Sequence, residues 1–440
     1  MKRMTPTLAT LAVVLVATVT MTAARTSNAE LVIELDKVGI KPSPIAIVPF
    51  GNDTGTTLPL DVASVIANDL ARSGRFAPLA SDKMLSRPTR GIDVNFADWR
   101  RVAVDSLLVG RVEKTTDGYL LQFQLFDVFG ARQILGYRLP ASERGLRLAA
   151  HRAADMVYEQ LTGIAGVFST RIAYITVAGP VESRRYSMVV ADADGENQYV
   201  IAQSNGYPLM SPAWSPDGRE LAYVSFQGGQ SSIVVQSLRT GSVRTVSRRD
   251  GINGAPAWSP DGRTLAVTLS GNNGNPDIWL LRVADGQARR LTSNRAIDTE
   301  ASFSPDGRFV YFTSDRAGAP QVYRVGVDGG DIERITFEGR YNARPRLSPS
   351  GDKLAVVHQV NNQFRIAVHD VERRDVLVLT EGNQDESPAF APNGETIIYA
   401  TRRNGRGVLQ TVSIDGAVSQ RLAASDGDVR EPVWSPFRRQ

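Results

Sequence analysis

Three histidines, His151, His358 and His369, and no cysteine make up the soft-metal ligands and thiol nucleophiles of this 440-residue chain. No histidine stands at a ligand spacing from another, so a zinc or catalytic-metal site is not expected. His151 falls in a helical stretch, and His358 and His369 fall on strand-like stretches. All three read as packed or surface side chains. No Gly-x-Ser-x-Gly turn is present to expose a nucleophilic serine. No glycine-rich loop follows a strand and opens a helix to cradle phosphate. Residues 192–197 (DADGEN) begin like a calcium loop but lack the later bidentate glutamate, and they coincide with a hairpin turn. The chemistry of single residues thus points to no catalytic centre, no metal and no cofactor.

The elements that would position any site are set by a repeat. PAWSPDG occurs at 212–218 and 256–262, ASFSPDG at 301–307, PRLSPSG at 345–351, PAFAPNG at 388–394 and PVWSPF at 432–437. The aromatic or leucine position falls at 214, 258, 303, 347, 390 and 434, with spacings of 44, 45, 44, 43 and 44. A period in the mid-forties with strand-like filling is the mark of propeller blades. Ser-Pro-Asp-Gly is a turn, because proline presets φ and glycine suits the last position. After it, 221–226 (LAYVSF), 233–238 (IVVQSL) and 243–246 (VRTV) read as strands, the last two joined by the hairpin turn Thr240-Gly241. The hairpin turn recurs at Asp285-Gly286, Asp328-Gly329 and Asp415-Gly416, whereas 371–375 (VERRD) predicts a longer or differently shaped turn.

The final phrase has no strands after it, and the segment before the first phrase supplies the missing ones: 171–176, 188–191 and 199–202. Residues 432–434 are therefore expected to pair with 172–175, closing the ring and removing its open edges. Six phrases fill the chain from about residue 166 to 440, giving six blades.

The rest of the chain is of another kind. Residues 1–29 carry Lys2 and Arg3 and then an apolar run at 8–19, the form of a signal peptide, with small residues before a cut after Ala29. A cut after Ala24, or retention as a membrane anchor, is the alternative. Loss of Lys2, Arg3 and Arg25, with no acid among those residues, takes the net charge from +4 to +1. Basic pairs such as Arg248-Arg249 alternate with acids and read as solvated surface, so nucleic-acid binding is not expected. The apolar run is too short to span a bilayer comfortably, so no membrane insertion is expected. Residues 30–165 predict a small α/β domain: a strand at 45–48, a helix at 60–72, a three-strand meander at 106–112, 120–128 and 134–139, and a helix at 146–161. The fold class is an α/β domain of two helices on a mixed sheet, followed by an all-β six-bladed propeller closed by strands from both of its ends. A short linker near 162–169 implies that the domains touch. The apolar 31–35 within the arm 30–44 is either an edge strand of the domain or a mobile arm that adds to a partner.

This combination resembles the TolB family of periplasmic propeller proteins of the Tol-Pal system. The stretches that carry the resemblance are 161–176 (LTGIAGVFSTRIAYIT), 208–226 (PLMSPAWSPDGRELAYVSF), 253–262 (NGAPAWSPDG) and 320–325 (PQVYRV). The resemblance implies a monomeric, non-enzymatic periplasmic protein. It would bind the peptidoglycan-associated lipoprotein Pal at the propeller face and TolA through the N-terminal arm, supporting outer-membrane integrity and constriction at cell division. Carried over residue by residue, the Pal face comprises the loop ends before the phrases: Met210 and Ser211; Asn253, Gly254 and Ala255; Thr299 and Glu300. It continues with Asn342, Ala343 and Arg344; Asp385 and Glu386; and Arg430 and Glu431. Glu300 and Glu386 are favoured because no basic residue adjoins either in the chain, and Ile252 stands where the family can show histidine. The TolA arm maps to Glu30, Leu31, Val32, Ile33, Glu34, Leu35, Asp36 and Lys37. An enzyme using channel carboxylates, or a scaffold for a peptide or glycan, is the competing reading; the first lacks a paired acid and base.

Overall fold

The computed structural model describes residues 33–35, 41–270, 274–422 and 427–438. The proposed signal segment 1–29 lies outside them. In the N-terminal domain, Ser43–Ile47 pairs in parallel with Phe76–Pro78 on one side and with Ser106–Thr115 on the other. Gly118–Asp127 and Arg132–Ala141 then extend the sheet as an antiparallel meander. Helix α1 (Val62–Arg72) starts at Asp61, whose carboxylate accepts from the Ser64 N–H, satisfying one of the free donors of the first turn. Its Val62, Val65, Ile66 and Leu70 are buried on the sheet. A one-and-a-half-turn helix, α2 (Phe96–Arg101), covers part of the opposite face through Trp99, which is fully buried with Val104, Leu107 and Val109. The sequence predicts two helices here; α2 is the addition, too short to show a period. Helix α3 (Leu146–Thr162) ends on Gly163 at φ 75°, whose N–H reaches the Glu159 carbonyl, a left-handed stop that glycine permits.

Six sheets follow in a ring. The first is Leu209–Trp214, Glu220–Ser225, Ser232–Ser237 and Val243–Ser247, paired in that order. The repeated phrase is the turn between each inner strand and the next. Ser215 Oγ donates to Asp217 Oδ1 at 2.7 Å and accepts from the Glu220 N–H at 2.9 Å. The same bonds recur at Ser259/Asp261 and Ser304/Asp306. These turns also pack blade on blade. A methyl placed on Gly262 would meet Pro216 at 3.4 Å, on Gly307 Pro260 at 3.7 Å, and on Gly218 Pro436 at 3.5 Å, so the first turn lies against the last. Trp258 Nε1 donates to the Ala213 carbonyl of the preceding blade at 3.1 Å.

Closure follows the expected pairing: Trp434 stands opposite Ile172 and Val433 opposite Ala173 in a sheet ordered 199–205, 185–192, 171–178 and 428–434. Two expectations are corrected. The turn at 371–375 is no longer than its fellows: Asp370 N–H bonds to Asp375 O and Arg374 N–H to Asp370 O. This is the pattern of Ser237–Ser242 with its Gly241. Arg374 takes φ 64° where Gly241 has 72°. The arm is not an edge strand of the N-terminal domain either. Ile33–Leu35 pairs antiparallel with Val418–Gln420, the outer edge of a blade whose main-chain groups were open to receive it. Glu30, Leu31, Val32, Asp36 and Lys37 lie outside the described residues. The two domains touch, with Arg75 on Glu395 at 3.1 Å and Asn393 Nδ2 on the Ala165 carbonyl at 3.0 Å.

Candidate functional site: the channel mouth

Every inner strand carries the same irregularity. Between Met210 and Ala213 the strand takes three steps while its neighbour takes two. The shift repeats at 254/257, 299/302, 343/346, 386/389 and 430/433. One residue in each bulge is left-handed: Ser211 (φ 52°), Ala255 (45°), Glu300 (56°), Arg344 (56°), Ser387 (56°) and Glu431 (49°). All six stand three residues before the aromatic or leucine of the phrase. None is glycine, so each holds a conformation that costs about 1 kcal/mol or more. In five of the six bulges the next residue is proline, which has no N–H to give up to a ladder. A bulge re-aims its side chain, and here all six residues line one cavity of about 40 Å³ on the ring axis.

Charge organises this ring. Arg344 Nε lies 2.5 Å from Glu300 Oε1, and its other arm bonds Ser387 Oγ, so one guanidinium ties three adjacent blades. Glu431 accepts from the Ser211 N–H across the closure. Burial opposes the charge on Arg344, yet Glu300 and Glu431 hold it above the ordinary arginine range. Burial pushes the Glu431 carboxyl up, with Arg344 opposing. Arg346, which donates to the Pro345 carbonyl at 2.8 Å, enters the same cavity, and burial pushes it down. The other residues at its phrase position are Ala213, Ala257, Ser302, Ala389 and Val433.

Above the ring a wider cavity of about 460 Å³ opens on one side of the mouth. It is bounded by Glu300, Ala343, Arg344, Glu386 and Arg430, with an apolar wall of Tyr341, Val357 and Phe364. Arg402 and Arg430 flank it and share Asp428 at 3.8 and 3.6 Å. Another cavity, of about 230 Å³, lies between the domains, beside Lys41, Pro42, Arg72, Glu395 and Val418. It adjoins the root of the arm and lies apart from the ring.

The residues expected at the mouth divide into two sets. Ser211, Ala255, Glu300, Arg344 and Glu431 reach the axis, and Met210, Gly254, Thr299, Glu386 and Arg430 stand beside them at the rim, part-exposed or exposed. Ala343 is buried but lines the wider cavity. Asn253 and Asn342 are instead turned into their blades, and Asp385, though buried and bonded within its blade, also lines the wider cavity. Asn253 Oδ1 accepts from Ser247 Oγ at 2.7 Å and from the Arg249 N–H at 3.0 Å. Asn342 binds His358, His369 and Gln321, and Asp385 accepts from Thr380 Oγ1. Their role is to fix the loops that enter the mouth. The isolation expected for Glu300 is also corrected: its cation comes from the next blade. Ser387 was missed, although it stands three residues before Phe390 and the repeat alone locates it. Arg402, on a second strand, had no such signal.

An α/β domain joined to a six-bladed ring with a polar mouth defines a class of two-domain propeller proteins. Among solved structures, TolB from Acinetobacter baumannii superposes with a TM-score of 0.85 at 38% identity, over 93% of this chain and 100% of that one. Residues 31–134 match the profile of the TolB amino-terminal domain and residues 158–438 that of the TolB beta propeller domain. Tol-Pal system protein TolB of Xanthomonas oryzae pv. oryzae and of Xanthomonas campestris pv. campestris are each 43% identical over 92% of this chain and 93% of theirs. The chain belongs to the TolB family of the Tol-Pal envelope system. Among its described residues no helix is long and apolar enough to cross a membrane.

Proposed function

We propose that this protein works in the periplasm as a non-catalytic connector, capturing the lipoprotein Pal at the channel mouth and engaging TolA through the arm. The observation that carries the reading is the ring of six left-handed residues, two serines, two glutamates, an alanine and an arginine, set under a one-sided cavity, a surface shaped for one partner in one orientation. The ring carboxylates are committed, Glu300 to Arg344 and Glu431 to a backbone N–H, which favours recognition over acid–base chemistry. The arm strand lies on the outer edge of the blade that contributes Glu386 to the mouth. Pal binding that steadied this blade would hold the arm down and deny it to TolA, and TolA would weaken Pal capture equally.

The test uses purified protein with the soluble domains of Pal and TolA. Thr299→Ala and Glu300→Ala should each weaken Pal binding by about 1–3 kcal/mol, roughly 5- to 150-fold. Unchanged affinity in both places the Pal site elsewhere. Deleting residues 30–37 should abolish TolA binding and spare Pal binding; loss of both removes the arm from the scheme.

A further inference from the structure

A buried charge cluster at the domain boundary takes no part in the mouth. His151 of α3 is 0% exposed. Its Nδ1 lies 2.6 Å from Asp69 Oδ2 of α1, and its Nε2 has no hydrogen-bond partner among the described residues. That nitrogen faces Asp192 Oδ2 and Asp194 Oδ2, each 3.9 Å away, at the end of the propeller strand Arg185–Asp192 and in the turn after it. The imidazole thus stands between a carboxylate of its own domain and two of the other.

The surrounding charges come from every element packed there. Arg72 of α1 pairs with Asp69. Arg147 of α3 pairs with Asp194 and lies 3.5 Å from Asp192. Asp155 of α3 accepts from the Phe168 and Ser169 N–H groups of the linker, while Arg152 on the same helix is exposed. Arg438, near the C-terminus, reaches Asp192 at 3.4 Å. Asp69, Asp192 and Asp194 therefore face the guanidiniums of Arg72, Arg147 and Arg438, with Asp155 behind Asp69 and Arg171 beside Arg438, and a proton on His151 sits among three carboxylates. A carboxylate holding the far nitrogen of a histidine is also how metal ligands are oriented. Here, though, Arg147 already sits on the carboxylates that a metal would need, so a divalent ion would have to expel it. A proton needs no such rearrangement.

We propose that His151 is a proton-binding site spanning the domain boundary, and that its proton clamps the Asp192–Asp194 turn of the propeller to the N-terminal domain. Burial opposes a charged imidazole, but Asp69 and Asp194 outweigh it, and the net shift is upward from the ordinary 6.5. A raised value in the folded state means that the clamp contributes fully below about pH 6.5 and is lost as pH rises through the folded value. Asp155 is pushed up to about 6 by burial, so it titrates next to that window, and the comparison with His151→Gln separates the two groups. Arg72 and Ala193 line the cleft beside the arm root, so release of the clamp loosens the wall against which the arm leaves.

The full chain has three histidines, which makes their ring protons readable by NMR. Burial lowers His358, and burial followed by the neighbouring His358 takes His369 to about 4. One resonance should titrate above 6.5, vanish in His151→Gln and move down by about half a unit or more in Asp194→Asn. Amide exchange at residues 192–196, corrected for intrinsic rate, should quicken by up to roughly tenfold per pH unit above the folded value in wild type and stay level in His151→Gln. If that variant fails to fold, Asp192→Asn and Asp194→Asn carry the same comparison. A His151 resonance titrating below 6.5, or equal pH slopes in wild type and variant, overturns the proposal. So does a zinc-induced thermal shift that His151→Gln removes.

Discussion

Glu300 and Arg344 are one period apart in the chain and touch in the ring, because the next blade brings the same phrase position alongside. A reading of Glu300 by its neighbours in sequence finds no cation, whereas a reading by phrase position finds Arg344 on one side and Ala255 on the other. A closed repeat has both neighbourhoods, and the second sets the electrostatics of the mouth. The same ruler locates Ser387. The left-handed backbone at the ring was not legible, since serine, alanine, glutamate and arginine give no sign of it; the prolines that follow five of the six are its one trace. Ala255 offers a direct measure of the strain. Glycine adopts positive φ freely, and Ala255 at φ 45° has only a methyl to lose. Ala255→Gly should therefore stabilise the protein by roughly 0.5–1 kcal/mol, the size of a strain-relieving backbone change, read as a rise in thermal midpoint. A fall would mean that the methyl packs productively on the axis.

Elements were legible in proportion to their length and periodicity. The apolar face of α1 and the stop of α3 at Gly163 stand out in the sequence because eleven and seventeen residues display a face and an end. The six residues of α2 do not, and only the buried Trp99 reveals that they cover a sheet. At 371–375 the composition misleads in the other direction. Two arginines and an aspartate replace the usual Asp-Gly, yet the hydrogen-bond frame of the blade imposes the same turn. Arg374 accepts a left-handed conformation there and sets its guanidinium over Phe337 at 5.5 Å. Arg374→Gly should relieve about 1 kcal/mol of backbone strain, less what the exposed cation–π contact returns, about 0.5–1 kcal/mol. A small gain in denaturant midpoint is expected, and a clear loss would show that the Phe337 contact dominates.

At the scale of the molecule, the ring could be counted from the sequence because the strands absent after the last phrase are present before the first. The clamp between domains could not, since Asp192 and Asp194 read as a hairpin turn and His151 as one side chain of a helix. Only the fold brings them together. Removing residues 428–438 should leave the strand Arg171–Ala178 with an unpaired edge and strip Pro436 from the Gly218 turn. We expect self-association on size exclusion and loss of a single cooperative unfolding transition, whereas a monomer that unfolds as wild type would show that the ring tolerates a missing inner strand. The closing sheet has a further consequence during synthesis. Its inner strand is made some 250 residues after its partner. Until then the growing propeller is an arc with one bare β edge, able to pair with any other chain. Pairing of 428–434 with 171–178 removes that edge and turns the open arc into a sealed ring.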